Sequence, residues 1–126
     1  VTHGPGTTDQ VPSYMVFGNT DWDADALGRY ATSLGVQVMH PMGTLELGDK
    51  KLMFTHGDRL DLMTQALHEK PEYLCHGHSH QPRDSRQGST RVINPGALFR
   101  AKQYTVATLD TDADALELLR VSDQSL

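Results

Sequence analysis

The chain has 126 residues, 37% of them apolar and 21% charged, with a formal net charge of -5. That length suits one domain, residues 1–126, which buries roughly two thirds of its unfolded surface. The negative balance excludes a broad electrostatic grip on nucleic acid or on an anionic membrane, and no apolar run approaches the roughly 18 residues of a membrane span.

No signal peptide is read in the chain, and Cys75, its one cysteine, has no internal disulfide partner; both point to the reducing cytoplasm. Residues 1–13, with Gly4, Pro5, Gly6 and Pro12, show no periodicity and read as loop or a loose terminus. Residues 14–17 form a short apolar strand that runs into Gly18-Asn19-Thr20-Asp21. From 23 to 34 the pattern turns helical: Asp23 and Asp25 favour the first turn, Leu27, Tyr30, Ala31 and Leu34 share a face, and Gly35 stops the helix. Residues 36–39 make a strand broken by Pro41, and His40 beside it reads as a surface residue, as does His68.

Residues 44–47 and 51–54 flank Gly48-Asp49-Lys50 as a hairpin, whose second strand runs into Thr55-His56-Gly57-Asp58. Leu60, Met63, Ala66 and Leu67 then recur at helical spacing up to Pro71, with Asp58 placed to cap that helix. A buried strand at 73–75 stops at His76-Gly77-His78-Ser79-His80, where His76 is expected to pack or hydrogen-bond beside the site. Residues 81–89 read as a polar loop, 91–93 as a strand entering the turn Asn94-Pro95-Gly96, and 104–109 with 115–121 as a closing hairpin. The whole is a strand-rich α/β domain, and in such sheets ligands bind beyond the carboxyl ends of strands, where the polar loops fall.

Imidazoles suit zinc, manganese, iron, nickel or cobalt, and an amide oxygen such as that of Asn19 adds a neutral hard ligand. The ordered set Gly18-Asn19-Thr20-Asp21, His56-Gly57, Gly77-His78-Ser79-His80 and Ile93-Asn94-Pro95-Gly96 resembles the later half of the calcineurin-like metallophosphoesterase family. The small prokaryotic phosphodiesterases are the branch it is most similar to, over about residues 14–121. The resemblance implies an αββα sandwich of two mixed sheets flanked by helices. It also implies a dinuclear centre of divalent manganese, nickel, iron or zinc that hydrolyses small phosphodiesters or nucleotides. Carried over, Asn19, His56 and His78 bind one metal and His80 the other, so Asn19 and His78 act in catalysis through the metals. Asp21 would orient a ligand histidine from behind or cap the helix, Arg100 would meet a phosphate, and Trp22 would stack on the substrate or pack at the rim.

Two departures qualify that picture. The family's Asp-x-His and Gly-Asp segments precede the Gly-Asn loop and are absent here, so the chain is expected to be an N-terminally truncated member that holds at most one metal weakly by itself. Thr20 stands where the wider superfamily has a histidine, and its hydroxyl is no acid near pH 7, so substrates with good leaving groups are expected. The competing reading is a non-catalytic scaffold, as in the retromer subunit of this fold. A homo-oligomer or a complementing chain would supply the missing strands.

Overall fold

The computed structural model describes residues 11–17, 24–98 and 100–121. The centre is a five-stranded mixed sheet in the order β3-β4-β5-β7-β6, built from β3 (Met42–Leu47), β4 (Lys50–Thr55), β5 (Tyr73–Cys75), β6 (Arg83–Gln87) and β7 (Thr90–Asn94). β4, β5 and β7 run parallel, with Leu74 beside Met53 on one side and Val92 on the other, while β3 and β6 are antiparallel edges. The parallel strands read as continuous apolar runs because both faces are covered. Two further pairs lie among the described residues: β1 (Ser13–Met15) parallel to β2 (Val36–Val38), and β8 (Tyr104–Asp110) antiparallel to β9 (Ala115–Val121).

Helix α2 (Leu60–His68) packs on this sheet, and its buried Ala66 joins Met53 and Leu74 in the core, with Met42, Met63 and Leu67 packed around them. Leu60, expected on that apolar face, is exposed at the helix start. Asp58 does not cap α2 either: Arg59 is the N-cap residue, its side chain makes no capping bond, and it instead pairs with Asp61 at 2.8 Å.

Helix α1 (Ala24–Ser33) ends at Gly35, whose φ of 82° supplies the left-handed stop. Its expected apolar face is only partly used, since Ala31 is buried while Leu27, Tyr30 and Leu34 are exposed. The sequence pattern marked an amphipathic helix correctly, but a two-stranded partner sheet offers little surface on which to bury it.

The polar loop expected over 81–89 is an edge strand, β6, followed by the tight turn Gly88-Ser89. Its residues carry no apolar alternation, because an edge strand facing water can be held by its backbone ladder and by cross-strand charges. Asp84 supplies such a charge, taking two bonds of 2.8 Å from the Arg91 guanidinium on β7.

Candidate active site

β4, β5 and β7 end side by side, so each delivers its next residues to the same edge of the sheet. The loop after β4 brings His56, and the loop after β5 brings His76, His78 and His80. The Gly77 N–H donates to the His56 carbonyl at 2.8 Å, joining the two loops. This approach depends on Gly57, at φ 104°: a Cβ there would stand 3.1–3.2 Å from the Gly77 carbonyl oxygen and the His76 side chain. The closure places the rings of His56 and His78 edge to face, their centroids 5.2 Å apart.

His78 and His80 sit at φ 73° and 62°, in the left-handed region that non-glycine residues seldom occupy. The Ser79 N–H donates to the Gly77 carbonyl at 2.9 Å, which closes a γ-turn centred on His78. Such conformations persist only where the surroundings over-determine them. Here the constraint comes from Asn94, fully buried at the end of β7. Its amide nitrogen donates to the Gly77 carbonyl (3.3 Å) and to the Ser79 hydroxyl (3.1 Å), and its carbonyl oxygen accepts the Gly96 N–H (2.9 Å). Asn94, expected to hold only its own turn, therefore also fastens the histidine loop.

His76 has both nitrogens committed. Nδ1 faces the Gly77 carbonyl at 3.1 Å and must donate, while Nε2 faces the Arg83 guanidinium at 3.3 Å and must accept. That is a neutral imidazole with its proton on Nδ1, and burial, aided by the Arg83 charge, holds its pKa below the ordinary value. Neither nitrogen has a lone pair left for a metal. Cys75 next to it is a packing residue, its thiol pushed up to about 11 by burial.

His80 looks the other way. Its Nδ1 lies 3.4 Å from the Arg100 carbonyl, and with Arg100 and Lys102 it lines an open groove of about 540 Å³. A smaller cavity of about 190 Å³ lies beside His56, lined by Phe17, His40 and Leu62 among others. His40 thus has a place in the site that its position beside a proline did not reveal: its Nδ1 accepts the Phe17 N–H at 3.3 Å and its ring lies 5.1 Å from that of Phe17.

The structure brings His56 and His78 together and sets His80 with Arg100, while Asn19, Thr20, Asp21 and Trp22 lie outside the described residues. Among the described residues no group of three His, Cys, Asp or Glu side chains converges on one point that could hold a metal ion. The donor chemistry of two adjacent imidazoles, held by a buried amide and a shared backbone bond, nonetheless fits a divalent transition metal.

A mixed sheet that presents imidazoles beyond the carboxyl ends of its parallel strands defines a metallophosphoesterase-like α/β architecture. Within that class, residues 5–114 match the calcineurin-like phosphoesterase superfamily domain, and the chain belongs to that superfamily. No curated protein matches it in sequence. Among solved structures it is similar to a novel archaeal phosphodiesterase (20% identity, TM-score 0.76, covering 86% of this chain and 68% of that one). It is similar as well to YfcE, a phosphoesterase from E. coli (18% identity, TM-score 0.50, 85% and 63%), and to Vps29 of Chaetomium thermophilum (15% identity, TM-score 0.52, 86% and 79%). The chain thus spans about two thirds of the length of the archaeal phosphodiesterase and of YfcE. None of its described helices is long and apolar enough to cross a membrane.

Proposed function

We propose that the chain contributes to a metal-dependent phosphodiesterase acting on small phosphodiesters or nucleotides. The observation that carries this reading is the His56–His78 pair, built from two separate loops in a member of a phosphoesterase superfamily. His56 and His78 would hold a divalent ion, manganese, nickel, iron or zinc, with Asn19 completing that set and His80 serving a second ion. When bound, such ions polarise a phosphoryl oxygen and acidify a water molecule. The chain's own residues set the geometry for this. Asn94 fixes the turn that aims His78, the Gly77–His56 backbone bond keeps the two imidazoles at one distance, and His76, neutral and doubly bonded, supports the loop without competing for the ion. Asp21 would orient a ligand histidine, and Thr20 offers the leaving group no acid, so activated esters are the favoured substrates.

The test is hydrolysis of an activated aryl phosphodiester with added manganese or nickel, together with calorimetric titration of the metal alone. His78→Ala is expected to lower kcat/KM by more than about a hundredfold, since even residues that only support metal ligands cost 10–100-fold. The same variant should weaken metal binding. Equal rates and equal affinities in the two proteins would remove the pair from the chemistry.

A second reading, a non-catalytic interaction module, is favoured by one observation: Leu27 and Tyr30 on α1, with Leu34 in the turn after it, expose an apolar stripe, in a chain similar to Vps29. A chain that binds no divalent metal in that titration and turns over no ester would support this reading over the first.

A further inference from the structure

Arginines elsewhere in the central sheet meet acids: Arg91 pairs with Asp84 and Asp114, and Arg86 with Asp114. Arg83, the first residue of β6, gives its guanidinium to two neutral groups. Its Nε donates to the Ser85 hydroxyl at 2.9 Å, and an Nη nitrogen meets Nε2 of His76 at 3.3 Å. Arg83 and Ser85 are half-buried while Asp84 between them is exposed, the alternation of a strand with one face turned inward. Across the ladder Arg83 stands opposite Asn94, so the two side chains share a face of the sheet. Both act on the Gly77 carbonyl, Asn94 directly through its amide at 3.3 Å and Arg83 at one remove, through the Nδ1–H that His76 donates at 3.1 Å.

A guanidinium has no acceptor, so it can face Nε2 only while that nitrogen is bare, and the ring proton must then sit on Nδ1. Free neutral histidine prefers the other tautomer, and the bond made by one ring nitrogen decides the state of the other. With the proton on Nε2, Nδ1 would present a lone pair to the Gly77 oxygen, and attraction would become repulsion. We infer that Arg83 is a positioning residue for the histidine loop: by holding the His76 proton on Nδ1 it keeps the Gly77 carbonyl in place, and with it the turn that aims His78 at His56. This role rests on the phosphodiesterase reading for what the aimed pair does, which is to bind a divalent metal. Strand β6 thereby reaches the site from the sheet edge, through one side chain and one ring.

The test begins without metal. In the unaltered chain, nitrogen NMR of labelled imidazoles is expected to show the His76 proton on Nδ1, and the rings of His56 and His78, with centroids 5.2 Å apart, to show a nuclear Overhauser contact. Arg83→Met, close in length but without charge or donor, should move that proton to Nε2 and weaken the ring contact. Calorimetric titration with manganese should show binding about tenfold weaker in the variant, the lower end of what losing a supporting partner costs. Charge alone predicts the reverse, because removing a cation near a metal site favours the metal. Arg83→Lys, which keeps a charge and a donor, should restore the tautomer and most of the affinity. Circular dichroism checks the fold; if Arg83→Met does not fold, Arg83→Gln, whose amide can donate to Nε2 or accept from it, should give a mixture of the two tautomers. A His76 proton that stays on Nδ1 in the Met or Gln variant, a moved proton that leaves the ring contact as it was, or manganese binding that is equal or tighter overturns the inference. If the unaltered chain binds no manganese, the metal-dependent reading falls, and the tautomer and the ring contact, both read without metal, still decide the role of Arg83.

Discussion

At the start of β7 the Arg91 guanidinium is gripped by Asp84 and Asp114, while at the end of the same strand Asn94 holds a loop in which His78 and His80 lie at positive φ. The two ends of the sheet use their polar groups differently. At the amino end, Asp114 in the β8–β9 turn accepts from the Tyr73 hydroxyl (2.8 Å), from Arg91 (3.0 Å) and from Arg86 (2.6 Å), and the Lys50 ammonium donates to the Thr111 carbonyl. Charges there are spent on one another, which fastens the closing hairpin to the sheet. At the carboxyl end the side chains hold backbone, and imidazoles are left presented beside two open spaces. The contrast teaches where to look for chemistry: charges that satisfy one another mark attachment, even with Asp114 at φ 52°, and imidazoles on a loop held by a buried amide mark a site.

The largest stability effect is expected where the hairpin meets the site. Gly96 has φ 88°, and a Cβ there would overlap the Thr105 hydroxyl, which donates to the Pro95 carbonyl. Gly96→Ala should cost about 3 kcal/mol in urea unfolding through strain and overpacking together. A loss of a few tenths would show that the two regions are not joined there. Asn94→Leu, which keeps the branching but is larger, leaves the Gly96 N–H and the Gly77 carbonyl without their buried partner and overpacks the site, and should cost about 2 kcal/mol. Its distinguishing readout is metal affinity, expected to fall about tenfold because the histidine loop loses its support.

Smaller effects belong to the opposite end. Arg91→Leu should cost about 1–2 kcal/mol, limited because Asp84 and Asp114 remain partly hydrated, and should leave metal affinity unchanged. The same end sets an acid limit. The Tyr73 hydroxyl, with Arg91 and Arg86, lowers the Asp114 pKa from its ordinary 3.8 to about 2. A depressed carboxylate stabilises fully above its unfolded value, so this contribution is complete above about pH 4 and is lost as pH falls toward 2. Asp114→Asn should flatten the stability profile across that window, as read by thermal melts at stepped pH. The smallest effect separates function from strain: His78→Gly should be more stable than His78→Ala by about 0.5–1 kcal/mol, since glycine accepts φ 73° freely.

Much of the layout was legible because parallel strands and polar loops leave clear marks. Apolar runs ending in His56-Gly57 and Gly77-His78 announced strand ends, and the hairpins at Gly48 and at 110–114 followed from turn chemistry. β6 was illegible because its residues are polar throughout, its place being decided by the backbone ladder and the Asp84–Arg91 pair. The exposed stripe of α1 was misplaced for the converse reason: periodicity reports what a helix could bury, and only a partner's area decides what it does bury. The roles of His40 and Asn94 depend on neighbours 23 and 17 residues away, Phe17 and Gly77, which no local pattern encodes.

The bond from the Gly77 amide to the His56 carbonyl also makes the site observable without any ligand. That hydrogen can exchange with solvent only when the bond opens and the two loops part. Its exchange rate therefore counts how often the imidazole pair comes apart, and a ligand that grips both rings would slow that single amide before it slowed the rest of the sheet.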